Sequence, residues 1–296
     1  MRRTQRATFG PMLAVLVVGL LAVGVPAPGT AASLSEGPVV ADPAPPAVSR
    51  AIWRAYRAAI VDSTVATPAE VVDDLLVPTP ADPRTQWRTI EGEEHLLVGT
   101  LRYEPFPGVA AGEAFTLPSD NWVAVPGELG QECRRYRCRT LDAKRLDLAL
   151  KQVLGLPPDA SYGYVVQYWV KPADLFRPCT DPRITSSSCP AQVTSGSASV
   201  PVPTTVGNTN LSDFLWSQAN YAWRMPSRFR PKVAVSCAKD WTTEVCYGYP
   251  WTRLGYTYDW TPGAKDDVGV TEFVVASGAT AYLERVGSQR DFFPRR

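Results

Sequence analysis

Histidine is almost missing from this chain, at one in 296 residues. That excludes any centre built from two or more histidines, the HExxH zinc enzymes among them. No CxxC pair is present either, so a cysteine-based metal site has no ligand spacing to rest on. An excess of one charge is also lacking. The 30 Lys+Arg stand against 29 Asp+Glu, a formal net charge of +1, which gives no overall electrostatic reason to bind nucleic acid. Beyond the first 25 residues no stretch is long and apolar enough to span a membrane. Charged residues are 20% of the chain and hydrophobic ones 45%, a balance that builds a packed core and argues against wholesale disorder. Proline is abundant instead. Its 28 residues are close to twice the average usage of about 5%, so the chain is loop-rich, and helical repeats and coiled coils are disfavoured.

The first 32 residues read as a separate signal peptide. Arg2, Arg3 and Arg6 precede an apolar run from Met12 to Val25, and Thr30-Ala31-Ala32 offers a small-x-small cleavage site. The run is shorter than the roughly 20 residues a bilayer needs. Cleavage leaves 27 basic against 29 acidic residues, so the expectation is a near-neutral, secreted or extracytoplasmic protein. The six cysteines suit an oxidising compartment. They fall as Cys133 and Cys138, Cys179 and Cys189, Cys237 and Cys246. Six cysteines allow about 15 pairings; pairing in sequence order is the simplest proposal.

Residues 33–47 read as a Pro-rich tether. Residues 48–296 then read as one disulfide-braced α+β domain, with N-terminal helices and a mainly antiparallel sheet in the C-terminal half. Val48, Ile52, Trp53, Tyr56 and Ile60 recur at helical spacing. Thr67-Pro68-Ala69-Glu70 has the form of a helix start leading to Leu76. Thr140 to Leu154 is the most regular helical pattern, with Gly155 placed to terminate it. Gln86–Ile90, His95–Tyr103, Asn121–Val125 and Tyr164–Val170 read as strands. So do Val233–Ser236, Leu254–Trp260, Glu272–Val275 and Thr280–Val286, the last two joined by a turn at Ser277-Gly278. Thr185–Asn210 reads as a long loop, and Asn210 as the cap of a helix from Leu211 to Arg224.

Few motifs carry chemistry. Ser236-Cys237-Ala238-Lys239 and Ser119-Asp120-Asn121 match S-x-x-K and S-D-N, but in the reverse of the order penicillin-binding proteins and β-lactamases use, and no K-T-G follows. His95 sits among Glu91, Glu93 and Glu94 with no G-x-S-x-G elbow, and reads as a solvated strand-edge residue. Arg134, Arg135, Arg137 and Arg139 lie in or beside the Cys133 to Cys138 loop, which suits an anion if the loop is closed. Trp241 to Trp260 holds three Trp and four Tyr. This density suggests an aromatic cleft, with Trp251 or Tyr256 stacking on a ring and Arg253 and Asp259 among them.

Glu272 is the carboxylate that stands out, opening a strand that turns into Thr280-Ala281-Tyr282-Leu283-Glu284. Over the C-terminal third this resembles the end of ADP-ribosyltransferase and NAD-glycohydrolase toxin-type domains, and Arg177, Thr243 and Glu272 follow the order of their arginine, hydroxyl and glutamate residues. The resemblance implies NAD as a substrate, with no prosthetic group and no metal. Glu272 would stabilise an oxocarbenium-like ribose, Arg177 would hold phosphate or ribose, and Asp259 would be a second carboxylate. Arg177 follows its strand instead of lying on it, and no acid stands two before Glu272. The alternative from the residues alone is a non-catalytic secreted module that binds a small-molecule or cell-envelope glycan ligand, or a protein partner, through the aromatic cleft.

Overall fold

The computed structural model describes residues 48–191, 205–222 and 248–294, all within the compact unit Pro45–Arg296. The chain runs through α1 (Arg50–Asp62), β1 (Trp87–Ile90), β2 (Glu93–Arg102), β3 (Ala114–Thr116), β4 (Asn121–Val123), α2 (Pro126–Arg135) and α3 (Ala143–Val153). It continues through β5 (Tyr164–Val170), β6 (Leu175–Phe176), β7 (Thr205–Val206), β8 (Thr209–Asn210) and α4 (Leu211–Ala222). Then come β9 (Tyr256–Tyr258), β10 (Val268–Thr271), β11 (Phe273–Val275), β12 (Thr280–Gly287) and α5 (Gln289–Phe292). Helices and antiparallel sheets together make an α+β architecture. One sheet has the order β1-β2-β5-β12-β3, a second has β4-β11-β6, and β9–β10 and β7–β8 form small pairs.

The large sheet is not confined to the C-terminal half. β2 pairs with β5 from Leu96↔Val170 to Arg102↔Tyr164, and β12 pairs on the other side of β5. β5 is apolar on both faces, so both of its edges and both of its faces need cover. On one face Val166, Tyr168 and Val170 join Leu96, Val98, Ala281 and Leu283, and they pack against Val123, Phe273 and Val275 of the smaller sheet. The main core therefore lies between the two sheets. Each fully buried side chain of this kind contributes about 1.5–3 kcal/mol. Gly99 and Ala124 exchange backbone hydrogen bonds at 2.9 Å and tie the sheets together at one edge. The other face of β2 and β5 carries Gly99, Leu101, Val165 and Gln167, which line a cavity.

Local signals explain the helices. Ser49 Oγ accepts from the Ile52 N–H at the start of α1, and Asp142 Oδ1 from the Arg145 N–H at the start of α3. Leu146, Leu150 and Val153 are the buried face of α3. Its end is a Schellman turn: Leu156 N–H donates to Lys151 O at 2.8 Å and Gly155 N–H to Gln152 O at 3.3 Å. That turn needs φ +66° at Gly155, which glycine adopts without strain. Asn210 does cap α4, its Oδ1 accepting from Asp213 N–H at 3.1 Å. The expected strand at Val233–Ser236 lies outside the described residues, as do the signal peptide and the tether.

Two further expectations are corrected, and one helix was missed. The helix expected to run from Thr67 to Leu76 is a single 3-10 turn, Pro68–Glu70, closed by its capping box. Beyond it the backbone finds distant partners instead of local ones. Leu75 N–H donates to Ser187 O, and Leu76 N–H to Thr271 Oγ1. His95 is not solvated; it is 1% exposed, hydrogen-bonded through Nδ1 with Glu93 O and edge-on to Tyr282. Helix α2 was not legible, because two glycines within it and Val125 before it, which provides no side-chain cap, hide it from propensity.

Arg177 anchors the segment that follows β6. It is fully buried, and its Nη2 donates to Leu76 O and Ser186 O, both at 2.7 Å, while Nε donates to Arg183 O at 3.3 Å. Burial pulls its pKa down to about 10. Arg177→Met leaves at least two carbonyls without a donor. It is expected to lower stability by about 2–5 kcal/mol in urea unfolding of the oxidised protein. A loss below about 1 kcal/mol would show that water serves those carbonyls instead.

Candidate functional site

Beside the outer face of β2 and β5 lies a cavity of about 920 Å³, within the size range of small-molecule sites. Trp53 and Tyr56 of α1 line it, with Trp122 of β4, Pro126 and Leu129 of α2, the turn after α3, and Tyr249. Tyr103, Tyr162, Phe292 and Phe293 add further rings. Tyr249 donates its hydroxyl proton to Gln218 of α4, and both line the same space. An aromatic cleft therefore exists, but the stretch from Trp241 to Trp260 contributes only one of its described rings.

Glu272 sits in the cavity wall. It occupies the break between β10 and β11, where its N–H donates to Gly255 O at 2.9 Å. Extended backbone sends successive side chains to opposite sides. Thr271 therefore faces inward, donating through Oγ1 to Glu128 at 2.8 Å, and Phe273 enters the core between the sheets. Glu272, between them, is left to the cavity. It is 7% exposed, and its Oε2 has no hydrogen-bond partner among the described residues. Loss of water alone pushes this carboxyl well above the ordinary 4.5, since burial penalises the charged form. Asn121 Nδ2, also on the cavity lining, is a second buried atom without a partner among the described residues.

The other sequence-selected residues lie elsewhere. Arg177 does not line the cavity; its guanidinium is held by carbonyls and lies 5.0 Å from the Phe273 ring, across the strand from Glu272. Trp251 is fully buried beside Phe176 and Phe214. The Tyr256 hydroxyl donates to Glu70 O at 3.0 Å. Arg253 is buried and donates to the carbonyls of Ser63 and Thr64. Asp259 is fully buried; it accepts from the Tyr136 hydroxyl and from Thr261 N–H. Burial and that bond push the Tyr136 hydroxyl up to about 12. Thr243 lies outside the described residues. Asp120 of the S-D-N string lines the cavity and braces a turn by accepting from Ser277 N–H at 2.9 Å.

Cys133 pairs with Cys138 and Cys179 with Cys189; Cys237 and Cys246 lie outside the described residues. Such pairs fit an extracytoplasmic compartment. Among the described residues no helix is long and apolar enough to cross a membrane, and no group of His, Cys, Asp and Glu is arranged to hold a metal ion. No protein-family model matches the chain, and no curated protein or solved structure matches it either.

The cavity residues missed from sequence come from well-separated positions, such as Trp53, Trp122 and Tyr249, and no local pattern joins them. The arginine loop was the one usable signal, since Arg134 and Arg139 both line the cavity.

The Glu272 environment carries a pH signature. A carboxyl whose folded pKa is raised contributes its full stability below the ordinary value and loses it as pH climbs through the folded value. Glu272→Gln is therefore expected to melt with the parent at about pH 4 and above it at about pH 8. A parent that is the more stable of the two at the higher pH would show that the carboxylate has a partner in the folded protein.

Proposed function

We propose that this protein is an exported binding protein whose cavity takes a saccharide ligand. The observation that carries the reading is the pairing of an aromatic lining with two buried polar atoms that have no partner among the described residues, Glu272 Oε2 and Asn121 Nδ2. An unsatisfied buried group costs about 1–3 kcal/mol, and a ligand that satisfies both recovers that cost. A sugar ring offers apolar C–H faces to Trp and Tyr and hydroxyls that donate and accept. The neutral Glu272 carboxyl donates through its O–H and accepts through its carbonyl oxygen, while the Asn121 amide donates. The signal-peptide pattern of residues 1–32 and the disulfides fit a ligand met at the cell envelope.

Ribosyl transfer from NAD is the second reading, and the position of Glu272 on a cavity wall is what favours it. Two observations weigh the other way. Arg177 is committed to backbone carbonyls, so another cation would have to hold the phosphates. Desolvation also favours the neutral form of Glu272, whereas stabilising a ribosyl cation calls for a carboxylate.

Calorimetric titration of the oxidised protein with soluble mono- and disaccharides separates these readings when run beside nicotinamide release from NAD. Saccharide binding is expected, weakened about tenfold by Trp122→Ala, the order of one lost aromatic contact. Nicotinamide release that vanishes in Glu272→Gln would overturn the binding reading and establish the enzyme.

A further inference from the structure

The arginine loop bears on what kind of saccharide fits. Arg134 and Arg139 each follow a half-cystine directly, and the bridged Cys133 and Cys138 have Cα atoms 5.1 Å apart. With consecutive Cα atoms about 3.8 Å apart, the two arginine Cα atoms lie within about 13 Å of one another. Both side chains are exposed, and both line the mouth of the cavity that Glu272 lines from within. Neither makes an ion pair among the described residues. Arg135, between them in the same loop, takes the nearby acids: its guanidinium lies 3.3 Å from Glu132 and 4.0 Å from Asp266.

Three acids share the lining, Asp120, Asp159 and Glu272. Asp120 is engaged by Thr209 Oγ1 and Ser277 N–H. Burial raises Asp159 above its ordinary value and Glu272 well above its own. Arg134 and Arg139 are thus exposed cations on the lining of a largely aromatic cavity. A carboxylate or phosphate oxygen meets guanidinium donors there.

We infer that the ligand is an acidic saccharide: its ring lies among the cavity aromatics, and its oxyanion is held at the mouth by Arg134 and Arg139. This rests on the saccharide reading and narrows it to sugars that carry a carboxylate or a phosphate.

The test titrates glucose, glucuronate and glucose 1-phosphate into the oxidised protein and into an Arg134→Ala, Arg139→Ala double variant. Both arginine side chains are exposed, and neither makes a side-chain hydrogen bond among the described residues, so the variant is expected to fold. At least one acidic sugar is expected to bind the parent tenfold or more tighter than glucose, and that advantage is expected to shrink with added salt and to disappear in the double variant. Arg137→Ala, which alters a loop cation that does not line the cavity, is expected to leave it unchanged. Glucuronate winning identifies a uronic-acid ligand, and glucose 1-phosphate winning a phosphorylated one. Equal affinities for the three sugars, or an advantage that survives in the double variant, would overturn the acidic-sugar inference and leave the saccharide cavity standing. Inorganic phosphate binding as tightly as glucose 1-phosphate would remove the role of the ring. Binding of none of the three sugars would sink the saccharide reading itself, and this inference with it.

Discussion

The buried guanidinium of Arg177 is the interaction on which the arrangement of the candidate site depends. It gathers the carbonyls of Leu76, Arg183, Ile184 and Ser186, which belong to two segments with no regular structure of their own. A loop cannot be buried unless its backbone groups find partners, and here one side chain serves several acceptors at once. The same guanidinium lies over the ring of Phe273, the residue after Glu272. Holding Phe273 in the core fixes the phase of the β10–β11 segment, and in extended chain that phase sends Glu272 the other way. Arg177 thus acts on the cavity at one remove, by setting which side of the strand each residue faces. Glu128 completes the clamp, accepting from both the N–H and the hydroxyl of Thr271.

Much of the architecture could be read from the sequence where local signals and tertiary demands agree. β5 has the bounds expected of it, because Tyr164–Val170 is β-branched and aromatic throughout and is buried along nearly its whole length. α3 follows its apolar spacing and stops at the glycine placed to stop it. The stretch after Thr67 shows the opposite case. Its capping box forms as the motif predicts, yet the helix ends after one turn, because Leu75 and Leu76 are bonded to Ser187 and Thr271 instead. Nothing local announces partners more than a hundred residues away.

The candidate site was legible only in part, for the same reason. Glu272 was visible because it heads a strand-turn-strand that resembles the end of ADP-ribosyltransferase-type domains, and it does reach a cavity. Its proposed companions were chosen by order along the chain, which does not fix which side of a strand a residue faces. The dense aromatic run misled in a related way. Trp251 and Tyr256 form core clusters with Phe176 and with Leu75, while the rings that line the cavity are gathered from places as far apart in sequence as Trp53, Trp122 and Phe292. Aromatic density along a sequence reports packing more readily than it reports a ligand.

What remains is why a folded protein keeps an unpaired carboxyl at the edge of its core. A leucine there would remove the desolvation cost, and proteins retain such local penalties chiefly where function needs them. The charge state that Glu272 adopts is set by what enters the cavity. Against a hydroxyl or a carbonyl the neutral, donating form is the favoured one, and Arg134 and Arg139 supply the positive charge on the lining. Against a ligand bearing positive charge deep in the cavity it would ionise, because the Coulomb attraction at short range in a low-dielectric site offsets the desolvation that keeps it neutral. Placing the cations at the rim, away from the carboxyl, favours the first state. Arg134 and Arg139 would draw an oxyanion outward while Glu272 offers a neutral hydrogen bond within, an arrangement suited to holding an acidic sugar by both ends.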